Sequence, residues 1–372
     1  MYIIKNAKIH IGNGEILENS DIIIDGKIIK QIGKNLSATN AEIIDGTNKE
    51  VFPGFIDPTS SIGAMGIPTS HTDNAEKSNP LMPEMDISYS IDPDEVTRQE
   101  FYKSGITTVG LSPNNTCVVG GQIAVFKTAQ DKFSNRLVAK KVAMKCAVTS
   151  EVKSVYGERN TMPMTKMGIF GLINDAVLQL ENKEEKDYTT KDKEFKKLVN
   201  GEINPIISAE TKSELDAAIE VFSKMSKKLT FVDAYEFDRS LDAILATKSS
   251  LIIGNISYLS QATKHNMQLC KLKDVIENGN LVAFTNTCVG YSEGREVLIW
   301  TAIDVYRAGI KSEDVVQMLT LNPAKILGVD NRIGSIEVGK DADIAIFSAN
   351  PVETYAAKAE TVLINGEVIY NV

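Results

Sequence analysis

The stretch VFPGFIDPTSSIG (residues 51–63) marks a change of rhythm in the chain. An apolar run enters a Pro53-Gly54 turn, resumes as Phe55, Ile56 and Asp57, and ends in small polar residues, Thr59, Ser60 and Ser61. Upstream, MYIIKNAKIHI, DIIIDGKIIKQIG and AEIIDGTNKEVFPG read as strands, with Asp25-Gly26 as a hairpin turn. The last forty residues repeat that style in DADIAIFSANP and AETVLINGEVIYNV, with Asn365-Gly366 as another turn. Residues 1–52 and 334–372 are therefore expected to pair into one small β-sandwich.

Downstream of the turn, short apolar strands alternate with amphipathic stretches. GITTVGLSP, KKVAMKCAVTS, NPIISAE, KLTFVDAYE, SLIIGNIS and NLVAFTNTC are the strands. DEVTRQEFYKSG, ETKSELDAAIEVFSKMSKK and EVLIWTAIDVYRAG carry helical periodicity. That alternation predicts a parallel sheet, and its length predicts an α/β fold with a (β/α)8 TIM-like barrel over residues 53–333. In such a barrel the chemistry stands just after each strand. Those positions hold Thr59 and Ser61, Asn114 and Asn115, Thr149 to Glu151, Ser208 to Glu210, Asp233 to Glu236, and Asn286. They are mostly neutral hydroxyls and amides. The charged run ENKEEKDYTTKDKEFKKL reads as a solvated helix or insertion.

The chain has 372 residues and a net charge of −9, which argues against nucleic acid and anionic membrane surfaces as partners. No run of eighteen apolar residues is present, and the start lacks the pattern of a signal peptide. Four scattered cysteines form no CxxC pair, which fits a reducing compartment, and cytoplasm is the expected location.

Several of these segments resemble the amidohydrolase superfamily, the hydrolases related to imidazolonepropionase and dihydroorotase. VFPGFID is similar to the entry of the family's first strand, and GITTVGLSPNNTCVVGGQIAVFKT and KCAVTSEVKSVYG to segments of one subgroup. MLTLNPAKILGVDNRIGSIEVGKDADIAIF closely resembles the C-terminal signature. The resemblance implies metal ligands at five strand ends: a His-x-His, a carboxylate or modified Lys, two single His and an Asp. Mapped onto this chain they fall on Thr59 and Ser61, Ser150, Ser208, Asp233 and Asn286. None keeps the implied side chain.

The chain holds only three histidines, His10, His71 and His265, and of these only His71 is expected near the barrel mouth. A catalytic zinc commonly takes three protein ligands, often imidazoles. Hydroxyls are poor substitutes, and Asn286 cannot serve as a general base. No cofactor is therefore expected. The alternative is a divalent metal in an oxygen-rich site built from Asp57, Glu210, Asp233 and Glu236. Cys117 and Cys288 are candidate nucleophiles only with a nearby base, for which His71 is the sole histidine candidate. Ser61 with His71 is a further arrangement. Lys145, in VAMKCAV, reads as structural, with carboxylation to bridge two metals as its alternative. The Gly pair in NNTCVVGGQ reads as a turn shaping the mouth, not a phosphate loop.

The expected function is an amidohydrolase-like protein without metal-dependent hydrolysis, binding an unidentified small molecule in the barrel mouth or acting as a scaffold. The alternative is a hydrolase of carbon–nitrogen bonds in cyclic or linear amides using a non-standard site. A third reading is an inactive subunit beside an active paralogue. Homo-oligomerisation is an expectation from the family alone.

Overall fold

In the computed structural model the chain passes from one eight-stranded sheet to another at Pro53-Gly54. Residues 1–65, 72–92, 94–95, 98–129, 136–256, 259–286 and 294–372 are described, with the backbone alone for 261, 262, 265 and 294–296. His71 and Cys288 lie outside the described residues, as does the side chain of His265.

The first sheet takes β1 (Tyr2–His10), β2 (Ile16–Asp25), β3 (Ile28–Gly33), β4 (Glu42–Asp45) and β5 (Glu50–Pro53) from the start of the chain. From its end come β14 (Ile344–Phe347), β15 (Ala359–Ile364) and β16 (Glu367–Asn371). The order is β16-β15-β14-β5-β1-β2-β3, with β4 also beside β1. The two ends of the chain thus share one sheet, joined where β14 runs antiparallel to β5 through Ile344↔Pro53 and Ile346↔Val51. Alternation along these strands gathers Ile4, Ile9, Ile22, Ile24, Ile344 and Ile346 into one apolar cluster.

The second sheet is a nearly closed barrel of β6 (Phe55–Ser60), β7 (Ile106–Leu111), β8 (Val119–Lys127), β9 (Leu137–Ala147), β10 (Pro205–Ser208), β11 (Thr230–Val232), β12 (Ser250–Ile253) and β13 (Val282–Phe284), in that order. Gly54 brings β6 into place. A Cβ built there would fall 2.0 Å from Thr107 Oγ1, so only glycine leaves room for the Thr107 side chain.

The sheet is not wholly parallel as expected. β8 runs antiparallel to both β7 and β9, while the remaining neighbours are parallel. The connections explain this. Only residues 112–118 join β7 to β8 and only 128–136 join β8 to β9. A parallel crossover needs a dozen or more residues.

Along the barrel wall Ile56, Ile123, Val125, Ala143, Ile206, Val232, Ile252 and Ala283 form a cluster with Ala324, Leu327, Val329 and Ile333. The strands' other faces pack beneath the helices, including Lys212–Phe222 and Gly294–Arg307. The charged run is largely helical: Thr190–Val199 starts at a Thr189/Asp192 capping box. Among the described residues no helix is long and apolar enough to cross a membrane.

Candidate functional site

Side chains alternate along a strand, so residues two past the apolar layer lie one pleat nearer the strand ends. Two past Ala143, Ile206 and Ala283 stand Lys145, Ser208 and Thr285, all buried and all polar. The wall of the barrel therefore changes from apolar to polar in one step towards the mouth.

Lys145 is only 2% exposed. Its ammonium donates to Asn115 Oδ1 at 2.6 Å, Ser208 Oγ at 2.8 Å and Cys146 O at 3.1 Å. Three donors meet three oxygens, which satisfies the charged form of the side chain.

Asp57 occupies the seam between β6 and β13. Thr285 Oγ1 donates to Asp57 Oδ1 at 2.6 Å and the Asn286 amide donates to Asp57 Oδ2 at 3.2 Å. The Thr59 amide also reaches Asp57 Oδ1, and Thr59 Oγ1 donates to Thr285 Oγ1 at 2.9 Å. Complete burial pushes the Asp57 carboxyl up to about 6 against these donors, and the charge of Asp233 adds to the rise.

Asp233, just past β11, is buried with φ +58°, and the Tyr235 hydroxyl donates to its Oδ1 at 3.2 Å. Gly254, just past β12, makes room for it: a Cβ there would stand 2.0 Å from Asp233 Oδ1. Glu210 follows β10, half-buried, and its carboxylate makes no hydrogen bond or ion pair with a described residue. Burial, then the charges of Asp233, Glu214 and Glu151, push it up to about 7.

The other expected positions divide. Thr59 is buried in the seam, and Ser61 accepts a hydrogen bond from Asn74 Nδ2 at 3.0 Å. Asn286 contributes its backbone amide to Asp57. Ser150 is exposed and begins the helix Ser150–Gly157, so the buried polar side chain that β9 itself supplies is Lys145. Glu236 turns away to the Lys212 amide (2.8 Å) and Arg239 (2.7 Å), which removes it from the oxygen-rich set.

The base that Cys117 would need, His71, lies outside the described residues. The Cys117 thiol faces Glu76 O at 3.1 Å and Asn79 O at 3.3 Å, and burial foremost pushes its pKa up, which disfavours the thiolate. The Gly120-Gly121 pair serves packing: a Cβ on Gly121 would meet Met85 O at 2.6 Å. Gln122 ties that strand to Glu194 Oε2 at 2.7 Å.

The described side chains do not fit a resident divalent metal. Among the described residues no three His, Cys, Asp or Glu groups are arranged to hold one. Thr59, Ser61 and Ser208 offer neutral hydroxyls, weak ligands beside imidazole or carboxylate. Lys145 offers no lone pair at all. The arrangement can hold a polar ligand by hydroxyls and amides, and it can move a proton at Glu210. Thr285 and Gly254 escaped the sequence reading; counting two residues past the apolar layer would have found Thr285.

Comparisons with known proteins agree with this architecture. An amidohydrolase from Thermotoga maritima has a solved structure that superposes with a TM-score of 0.89 at 26% identity, covering all of both chains. Phenylurea hydrolase B, at 12% identity and a TM-score of 0.62, shares the fold. Adenine deaminase of Staphylothermus marinus is 24% identical over 96% of this chain, which spans 55% of that protein. Amidohydrolase tasK of Hapsidospora irregularis is 21% identical over 91% of this chain, which spans 39% of it. Dihydroorotase of Aquifex aeolicus is 34% identical over 90 residues, about a fifth of each chain. Since the model of the amidohydrolase family matches residues 95–369, the chain belongs to that family.

Proposed function

We propose that this member of the amidohydrolase family binds a small polar molecule in its barrel mouth without metal-dependent hydrolysis. The supporting observation is the Lys145 ammonium, buried and bonded to Asn115 and Ser208 among hydroxyls where a metal would need lone pairs. A fixed positive charge there opposes a second cation. Two unit charges 4 Å apart repel by about 4 kcal/mol at an effective dielectric of about 20, and a divalent ion doubles that. In this reading residues 53–333 are the ligand-binding barrel, and 1–52 with 334–372 form a small β-sandwich beside it. The ligand is neither a nucleic acid nor a membrane surface, and the location is the cytoplasm.

One observation favours a second reading, hydrolysis of carbon–nitrogen bonds in cyclic or linear amides by a non-standard site. Glu210, raised to about 7 by burial and neighbouring carboxylates, suits proton transfer at neutral pH. The test is a panel of cyclic imides and N-acyl amides, assayed with chelator and with added zinc or manganese. The leading reading predicts binding, seen as a thermal shift, and no turnover in either condition. Turnover that needs added metal overturns it; turnover that survives chelation and vanishes in Glu210→Gln establishes the second reading instead.

A further inference from the structure

The chain's single tryptophan, Trp300, is 42% exposed on the helix Gly294–Arg307, outside the barrel wall. It borders a cleft of about 480 Å³ between that helix, the end of the helix Arg98–Lys103, and the strands β14, β15 and β16. Tyr355, 58% exposed, and Tyr370 supply two further aromatic rings, and Phe347 and Ile303 lie almost wholly buried at its floor. None of the polar residues of the barrel mouth lines this cleft.

The charges around it are unequal. Glu360 is paired with Lys49 at 2.9 Å, so its carboxylate is already neutralised. Lys103 makes a loose contact with Glu100 at 3.4 Å. Lys358 is exposed and forms no ion pair among the described residues. The cleft thus offers aromatic faces and, at Lys358, an ammonium without an ion pair among the described residues, with Val372 also at its border.

We propose that this cleft is a second binding site, for a planar aromatic molecule bearing a carboxylate. Its volume falls within the ~300–1,000 Å³ of small-molecule sites, which favour junctions between packed bodies of a fold. Aromatic side chains present large flat areas with few rotatable bonds, so a ring loses little by stacking on them. Lys358 supplies the counter-charge, and a charge-assisted hydrogen bond to a carboxylate is about twice as strong as a neutral one. The ring settles against Trp300 and Tyr355 while the carboxylate faces Lys358.

The experiment titrates the whole protein with 2-naphthoate, followed by calorimetry and by quenching of tryptophan emission, which reports Trp300 alone. The expected result is saturable one-to-one binding with quenching over the same concentration range. Lys358→Ala and Tyr355→Ala each weaken binding about fivefold or more, in keeping with the loss of ~1 kcal/mol or more per contact. Both positions are exposed, and an unchanged melting temperature certifies that the variants fold. Cyclohexanecarboxylate and 2-naphthalenemethanol, lacking the ring and the charge respectively, bind about tenfold more weakly. Equal binding of either comparator, unaltered affinity in both variants, or no quenching overturns the proposal. So does a dimer whose dissociation on dilution shifts Trp300 emission without ligand, because a second copy then covers the cleft.

Discussion

Thr285 Oγ1 and Asp57 Oδ1 lie 2.6 Å apart across the barrel seam, where no ladder of the described residues joins β13 to β6. The end of β6 thus closes the sheet: Asp57 takes hydrogen bonds from Thr285, from the Asn286 amide and from the Thr59 amide. Thr285→Val keeps the shape and removes the hydroxyl. It should destabilise the protein by about 1–3 kcal/mol, the range for leaving a buried acceptor short of a partner, measured by urea unfolding.

Asp57 also carries a pH signature. Its folded pKa of about 6 lies above an unfolded value near 3.9. A raised folded pKa means the group contributes stability in its protonated form. That contribution is complete below about pH 3.9 and is lost as the pH climbs through about 6. Asp57→Asn has no such titration. Its stability relative to the parent should therefore improve between about pH 4 and 6, by up to about 3 kcal/mol. A constant difference between the two proteins across that window would refute the assignment.

Lys145→Met replaces the ammonium by a neutral chain of similar length and removes its hydrogen bonds to Asn115 Oδ1 and Ser208 Oγ. A loss of about 1–3 kcal/mol is expected in chemical denaturation. Unchanged stability would mean that the charge is dispensable to the barrel.

His10 predicts a pH dependence remote from the mouth. Its ring is buried, stacks on Phe52 at 4.2 Å, and meets Glu313 Oε1 at Nδ1 and Glu50 Oε2 at Nε2, both at 2.7 Å. Lys8 also faces Glu50, at 3.1 Å. A neutral imidazole donates only once, so the arrangement calls for the imidazolium. Burial lowers the pKa, but the bonds and charges of Glu313 and Glu50 outweigh it and the net shift is upward. The stability it confers is full below the unfolded value near 6.5 and is lost as the pH rises through the higher folded value. His10→Gln should cost about 1–3 kcal/mol at pH 6 and progressively less at alkaline pH, read from melts across that range.

Much of this architecture was legible in the chain. The Pro53-Gly54 turn, the alternating isoleucines and the strand-helix rhythm marked the terminal strands and seven of the eight barrel strands, because burial patterns follow strand periodicity directly. β8 was missed as a strand: its Gly120-Gly121 pair reads as a turn, yet both residues lie within Val119–Lys127, and the short connections on either side set its antiparallel direction. Counting strand ends leads to Thr59, Ser208 and Asp233, which are buried at or just past β6, β10 and β11, and to Ser150, which is exposed at the start of a helix. The link from Asp57 to Thr285 spans most of the chain, and no local pattern announces a contact between such distant partners.

Elemental analysis is the most direct test of the proposal that the barrel mouth works without a divalent metal. Protein expressed without chelator and then dialysed against zinc, manganese or magnesium should carry well under one equivalent of any of them, with no shift in melting temperature. One tightly held divalent ion per chain, lost together with its thermal stabilisation when Asp233 or Asp57 is replaced by Ala, would contradict the account.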